Sequence, residues 1–339
     1  VAVDHYYHRD AVEKLIKAER QRGTRLQTEN NKLTLALYDQ RELHRMVEES
    51  TREGFKNYFE RRPKRVKYVK DAGELFVAHA PIADPHLGKY VWGKEGWGED
   101  YDTGIACARI RQCGEEARDW ILDQNGRCSR LYATNVGDFW HAIDGKTESG
   151  TLLHQDTRAK KVIAQGVEAE LYRIDALRSC CEELVVEFTE GNHDHIHMHQ
   201  TYREIAAELR HCPDVTVHVR DQKMVWFKVG RVVHFIDHGK GLNTLGTASS
   251  QLKGWNAINM VMTPADQAYV EHYYYYIGHL HHREVAENVK MEMVRLPAIA
   301  EGDYYEEELR VGSRVGGEVY RLDDEGYVRD QHNIRFRDA

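Results

Sequence analysis

The chain has 339 residues, of which 41% are hydrophobic and 30% charged, and 47 Lys and Arg face 55 Asp and Glu for a formal net charge of -8. That length buries a proper core as one large α/β domain or as two smaller ones, and the acidic balance excludes a protein that coats nucleic acid by bulk attraction. No apolar run reaches the length of a membrane span and no charged-then-apolar leader opens the sequence, so a cytoplasmic protein without membrane contact is expected. The six cysteines (Cys107, Cys113, Cys128, Cys180, Cys181 and Cys212) form no C-x-x-C pair and are expected to be reduced and buried.

Residues 1–70 are polar, rich in Arg, Glu and Gln and nearly free of Gly, which predicts a helical extension. Its leucines and valines recur too irregularly for a sustained heptad. The segment closes on a basic run of Arg61, Arg62, Lys64, Arg65, Lys67 and Lys70, in which Pro63 breaks any helix. The run is expected to be a solvated linker, with contact to a phosphate backbone as the sharper alternative.

From about residue 73 the pattern becomes strand, loop, helix, repeated. Residues 74–78 predict a strand, and Ala106, Ile110, Cys113, Ala117 and Ile121 then fall on one face of a helix that stops at Asn125-Gly126. A strand at 131–133 leads to a second helix through Ile163, Val167, Leu171, Ile174 and Leu177, and another strand follows at 184–186. After a short helix near 201–210 the periodicity switches to strands at 215–219, 224–229, 232–236, 273–277 and 289–297. The tail, with Gly316-Gly317 and the turn Asp323-Asp324-Glu325-Gly326, predicts a terminal hairpin. This order implies an α/β fold with two mixed sheets covered by helices, a four-layer sandwich.

Five short islands each follow a predicted strand. They are Asp84-Pro85-His86, Gly137-Asp138-Phe139-Trp140-His141, Gly191-Asn192-His193-Asp194, His238-Gly239 and Gly278-His279-Leu280-His281. Together they supply two aspartates, one asparagine amide and four histidines as candidate ligands, with further histidines for proton transfer. A mixed oxygen and imidazole set suits two divalent cations that activate water against a phosphate ester. Two such cations outweigh the charges of Asp84 and Asp138, so the pocket itself draws an anionic substrate. Open α/β sheets place ligand sites at the carboxyl ends of their strands, where loops far apart in sequence converge.

The order and content of these islands resemble the calcineurin-like metallophosphoesterase superfamily over roughly residues 75–300. The resemblance implies a catalytic domain over 71–300, completed by the hairpin at 301–339. It implies that Asp84, His86 and His281 hold one metal, that Asn192, His238 and His279 hold the other, and that Asp138 bridges both through its two carboxylate oxygens. Mn²⁺ is favoured, with Fe or Zn as alternatives. The implied reaction is in-line attack on phosphorus by a metal-bridging hydroxide. His193 would serve as general acid or phosphate donor, with Asp194 fixing its tautomer. The pattern G-D-x-x-H, ending in His141, is closest to the DNA-repair exonuclease branch, where this histidine helps stabilise the transferring phosphate. A second-shell hydrogen bond to a ligand is the alternative role for His141.

The implied substrate is a phosphodiester, DNA foremost. A small-molecule phosphatase or nucleotide phosphodiesterase is the alternative within the same chemistry, and a non-catalytic scaffold that retains the site is a second. A homodimer or a partner ATPase is left open.

Other features are read more plainly. His195, His197 and His199 alternate, but the ligand set is complete without them. His234 competes with His238 for the fourth island, yet only His238 precedes a glycine and ends its strand. Tyr273 to Tyr276 could stack bases, but strand alternation should bury half of them as core. In the loop 145–158, with Thr147, Thr151 and His154, Arg158 is a candidate clamp for a phosphate oxygen or a helix-start ion pair. Trp92 and Trp97 could wall the substrate cleft.

Overall fold

The computed structural model describes residues 3–61, 73–95, 98–143, 145, 153, 155–194, 197–302 and 314–336. The chain divides into two compact units, Val1–Met46 and Val47–Ala339. Helix α1 (Val3–Arg61) supplies the first unit and, from Val47 onward, the opening of the second. The domain boundary expected at residue 70 lies outside the described residues. Val47, Ser50, Thr51, Phe55 and Tyr58, toward the end of α1, are all buried. The basic linker at residues 62–70 lies outside the described residues. No helix among the described residues is long and apolar enough to cross a membrane.

The second unit is α/β, with two mixed sheets flanked by helices. The first sheet takes β1 (Leu75–Ile82), β2 (Arg127–Asn135), β3 (Glu183–Phe188) and β4 (Val215–Val217) in parallel, in that order, with β10 (Gly317–Leu322) and β11 (Val328–Ile334) antiparallel beyond β1. The terminal hairpin is thus an extension of this sheet. In the second sheet, β6 (Val232–Ile236), β7 (His272–Ile277) and β9 (Met291–Arg295) run parallel, edged by antiparallel β5 (Val225–Val229) and β8 (Glu284–Glu287).

Helix α2 (Thr103–Asp123) buries the stripe Ala106, Ile110, Cys113, Ala117 and Ile121, and Asp102 caps it by accepting from the Ile105 N–H. Helix α3 (Ala159–Arg178) buries Ile163, Val167, Leu171, Ile174 and Leu177. The two helices pack on each other and on the first sheet, and α4 (His197–Leu209) lies against β4. The opposite face of that sheet supplies Tyr132, Val185, Tyr320 and Leu322 to a core shared with Val225, Phe227, Tyr274 and Tyr276 of the second sheet. The outer face of the second sheet, with Val233, Phe235, Tyr273, Tyr275 and Met293, is covered by Ile258 and Trp255 of α5 (Ala248–Val261). The order is helices, sheet, sheet, helix.

Two expectations are corrected here. Tyr273, Tyr274, Tyr275 and Tyr276 are all buried, not alternate ones, because β7 lies between α5 on one face and the first sheet on the other. Helix α5 was not foreseen. Its inward stripe is Ser250, Gly254 and Ile258 while Leu252 and Met260 point outward, so the sequence carries no apolar period there. Five of the six cysteines are buried and all are free.

Two imidazoles sit in the inter-sheet core. His79 bonds Thr134 Oγ1 at 2.9 Å, and His234 donates from Nε2 to the Gly326 carbonyl at 3.0 Å while stacking on Phe227. Burial, and then the facing His234, pushes His79 well below the usual histidine range. Burial likewise takes His234 from 6.5 down to about 3. Both stay neutral in the fold but protonate in the unfolded chain below about pH 6.5, so their stability is complete above that value and drains away toward pH 3. By this linkage His234 alone should cost about 2–3 kcal/mol at about pH 4.5 relative to neutral pH. Urea midpoints at the two pH values should differ accordingly, and His234→Phe should shrink the difference. An unchanged difference would remove His234 as its source.

Candidate metal centre

The five islands stand at the carboxyl ends of β1, β2, β3, β6 and β7, which run parallel within their sheets, so stacking the sheets brings the islands to one rim. Backbone bonds lace them together. His86 N–H donates to the Asp138 carbonyl at 2.9 Å, Leu87 N–H to Phe139 at 2.8 Å and Gly278 N–H to His238 at 3.1 Å.

The ligand positions carry backbone strain. Six non-glycine residues among those described have left-handed φ, and five of them are Asp84, His86, Asp138, His279 and His281. Such conformations cost of order 1–3 kcal/mol each and persist only where the surroundings enforce them. Here each turns a ligand out of a strand end toward the same point.

Among the described residues, three sets of three possible ligand atoms each lie within 4.8 Å of one another: Asp84, His86 and His281; Asp138, His238 and His279; and His86, His141 and His193. His86 Nε2 and His281 Nε2 are 3.0 Å apart, and His238 Nε2 is 3.0 Å from Asn192 Oδ1 and 3.1 Å from Asp138 Oδ2. Donors bound to one cation at roughly 2.0–2.2 Å stand about 3.0–3.5 Å apart, so these spacings fit a shared ion. His238 Nδ1 donates to the Val136 carbonyl at 3.0 Å, which turns Nε2 toward the cluster. A side chain at Gly191 or Gly278 would fill the cradle, since a Cβ there would stand 1.9 Å from Asp138 Oδ1 or 2.3 Å from Asp84 Oδ2.

Asp138 uses its oxygens unequally. Oδ1 accepts the His193 N–H at 2.8 Å, while Oδ2 lies 3.1 Å from His238 Nε2 and 3.8 Å from His86 Nε2. Oδ2 is thus the oxygen that faces His238 and His86, while Oδ1 holds the His193 N–H. Burial would raise the Asp138 carboxyl, but the charge and hydrogen bond of His238 outweigh it and hold the group well below the usual range. Burial, and then His193, His281 and His141, push His86 well down, and burial with His238 takes His279 to about 4. Neutral imidazoles are the form that binds metal.

Asp194 is corrected in role. It does not touch His193: Oδ2 accepts from the Phe139 and Trp140 N–H groups at 2.6 and 3.2 Å, and Oδ1 from Gly191 N–H at 2.8 Å. It pins the second island to the third. Burial and the Asp138 charge push it up to about 7. The tautomer of His193 is set instead by the His141 carbonyl, to which Nδ1 donates at 2.7 Å, leaving Nε2 4.0 Å from Asp138 Oδ2. A main-chain carbonyl leaves no mark in sequence, so only the structure could find it.

His141 reaches the cluster through its ring, with Nδ1 3.3 Å from His86 Nδ1. Arg158 does not: it is exposed at the residue before α3, and among the described residues no hydrogen bond or ion pair joins it to the site. Thr147, Thr151, His154, Trp97 and His195 lie outside the described residues, and Trp92 is half exposed. His199 pairs with Asp221 at 3.4 Å, and neither it nor His197 joins a ligand group. His234 belongs to the core.

No protein-family model matches the chain, and no curated protein matches it. Among solved structures, Vps29 from Entamoeba histolytica complexed with zinc is similar at 11% identity over 76% of this chain and 99% of that one, with a TM-score of 0.33. A novel archaeal phosphodiesterase is similar at 13% identity over 76% and 100%, with a TM-score of 0.36. A predicted phosphoesterase from Streptococcus pneumoniae is similar at 10% identity over 76% and 98%, with a TM-score of 0.29.

Proposed function

We propose that the chain is a calcineurin-like metallophosphoesterase that hydrolyses phosphodiester bonds, DNA foremost, with two divalent cations, Mn²⁺ ahead of Fe or Zn. The observation that carries this reading is the convergence of Asp84, His86 and His281 and of Asp138, His238 and His279 into two groups, with Asn192 Oδ1 3.0 Å from His238 Nε2 and Asp138 Oδ2 facing both groups. The cations would supply water activation and neutralise charge on the phosphate oxygens.

The remaining roles belong to side chains. His193, with Nδ1–H spent on the His141 carbonyl, presents Nε2 to the centre, and as the imidazolium it would give the Nε2 proton to the departing oxygen and keep the one on Nδ1. If His86 binds through Nε2, its Nδ1 carries the proton and donates to His141 Nδ1. His141 then holds its own proton on Nε2, where it is a donor for a phosphate oxygen. That chain of tautomers supports a nuclease, because a diester offers fewer anionic oxygens for cations to grip and gains more from an added donor.

The test is a substrate panel with Mn²⁺: labelled DNA, bis-p-nitrophenyl phosphate and p-nitrophenyl phosphate. His141→Ala should lose more activity on DNA than on the activated esters, with metal content unchanged. Equal losses would make His141 a support for His86 alone. Good monoester turnover without DNA cleavage would move the assignment to a small-molecule phosphatase. Metal uptake without turnover on any of the three would leave a scaffold.

A further inference from the structure

We infer that Arg295, the last residue of β9, is a positioning residue that holds both ligand-bearing loops of the second sheet in register; this rests on the two-metal reading above. Its guanidinium is fully buried. Nη2 donates to the carbonyls of Leu242 at 2.5 Å and Asn243 at 2.7 Å, in the loop that follows His238. Nη1 donates to His282 Nε2 at 2.9 Å and to the Glu284 carboxylate. Glu284 in turn accepts the Leu245 N–H at 2.8 Å through its other oxygen, closing the same loop.

Chemistry fixes the state of His282. Arginine can only donate, so His282 Nε2 must carry its lone pair toward Nη1, and the proton sits on Nδ1. That Nδ1 donates to the carbonyl of Leu280 at 2.9 Å, the residue between His279 and His281. One imidazole therefore links the guanidinium to the loop that carries both ligands. It also explains why His282, which follows His281 directly, belongs to neither ligand group.

The loops so joined feed both groups, His238 and His279 in one and His281 in the other. Four Nη hydrogens meet four acceptors on two separate chain segments, 242–243 and 282–284, a span that a planar fork covers and an ammonium does not. The buried cation is balanced by Glu284, so the arrangement persists without solvent.

The expected result is a loss of metal affinity at intact fold. In Mn²⁺ titrations followed by calorimetry, Arg295→Lys should bind ~10–100-fold more weakly, the range for losing the partners that orient metal ligands. His282→Ala, which keeps the buried ion pair and cuts only the link to Leu280, should weaken binding by ~5–10-fold. Melting of the metal-free protein should barely move for His282→Ala, and excess Mn²⁺ should restore turnover in both variants. If Arg295→Lys does not fold, His282→Ala decides alone. Mn²⁺ affinity within twofold of the parent in a folded His282→Ala variant would overturn the inference and leave the two-metal reading standing. A parent protein that takes up no Mn²⁺ would overturn that reading itself.

Discussion

Replacing Asp138 with Asn is expected to empty both cation positions and to lower turnover by at least ~10³-fold, about 4 kcal/mol on the barrier. The substitution is nearly isosteric, and the new amide can still accept the His193 N–H in place of Oδ1. What it loses is Oδ2, the one oxygen that faces His238 at 3.1 Å and His86 at 3.8 Å. An NH₂ group there would point hydrogens at both cations. Elemental analysis of the purified variant, beside its rate on an activated diester, checks both halves. Activity within tenfold of the parent would sink the two-metal reading.

The second large effect separates chemistry from binding. His193→Ala should slow turnover by ~10²–10⁴-fold, the usual range for losing a general acid–base group, while metal stoichiometry stays normal. The structure gives a reason for the split. The contact from residue 193 to the bridging carboxylate is made by its backbone N–H, which alanine keeps, so Asp138 stays aimed. The ring's Nδ1 is bonded to the His141 carbonyl, and water can satisfy that oxygen once the ring is gone. Loss of metal in this variant would make His193 a ligand and overturn its assigned role.

The two results bear on different levels of the molecule. Asp138 ties five loops to one centre, and its failure is a failure of assembly. His193 acts only once the centre exists.

The sequence by itself determined the five islands and their places, because each sits in a short motif directly after a strand, where local pattern and residue type are enough. It also determined helices α2 and α3, whose buried stripes at Ala106, Ile110 and Cys113 and at Ile163, Val167 and Leu171 repeat with the helical period. What only the tertiary structure decided depends on partners distant in the chain. Helix α5 hides its contact face in small residues, and β7 buries four consecutive tyrosines because it has cover on both sides. Asp194 faces backbone N–H groups in place of an imidazole, and one oxygen of Asp138, Oδ2, faces both His238 and His86. His281 and His282 are neighbours of the same type, yet one turns to the centre and the other to Arg295. Main-chain donors and carbonyls made these choices; every residue carries them, so their directions are set only once the two sheets have packed.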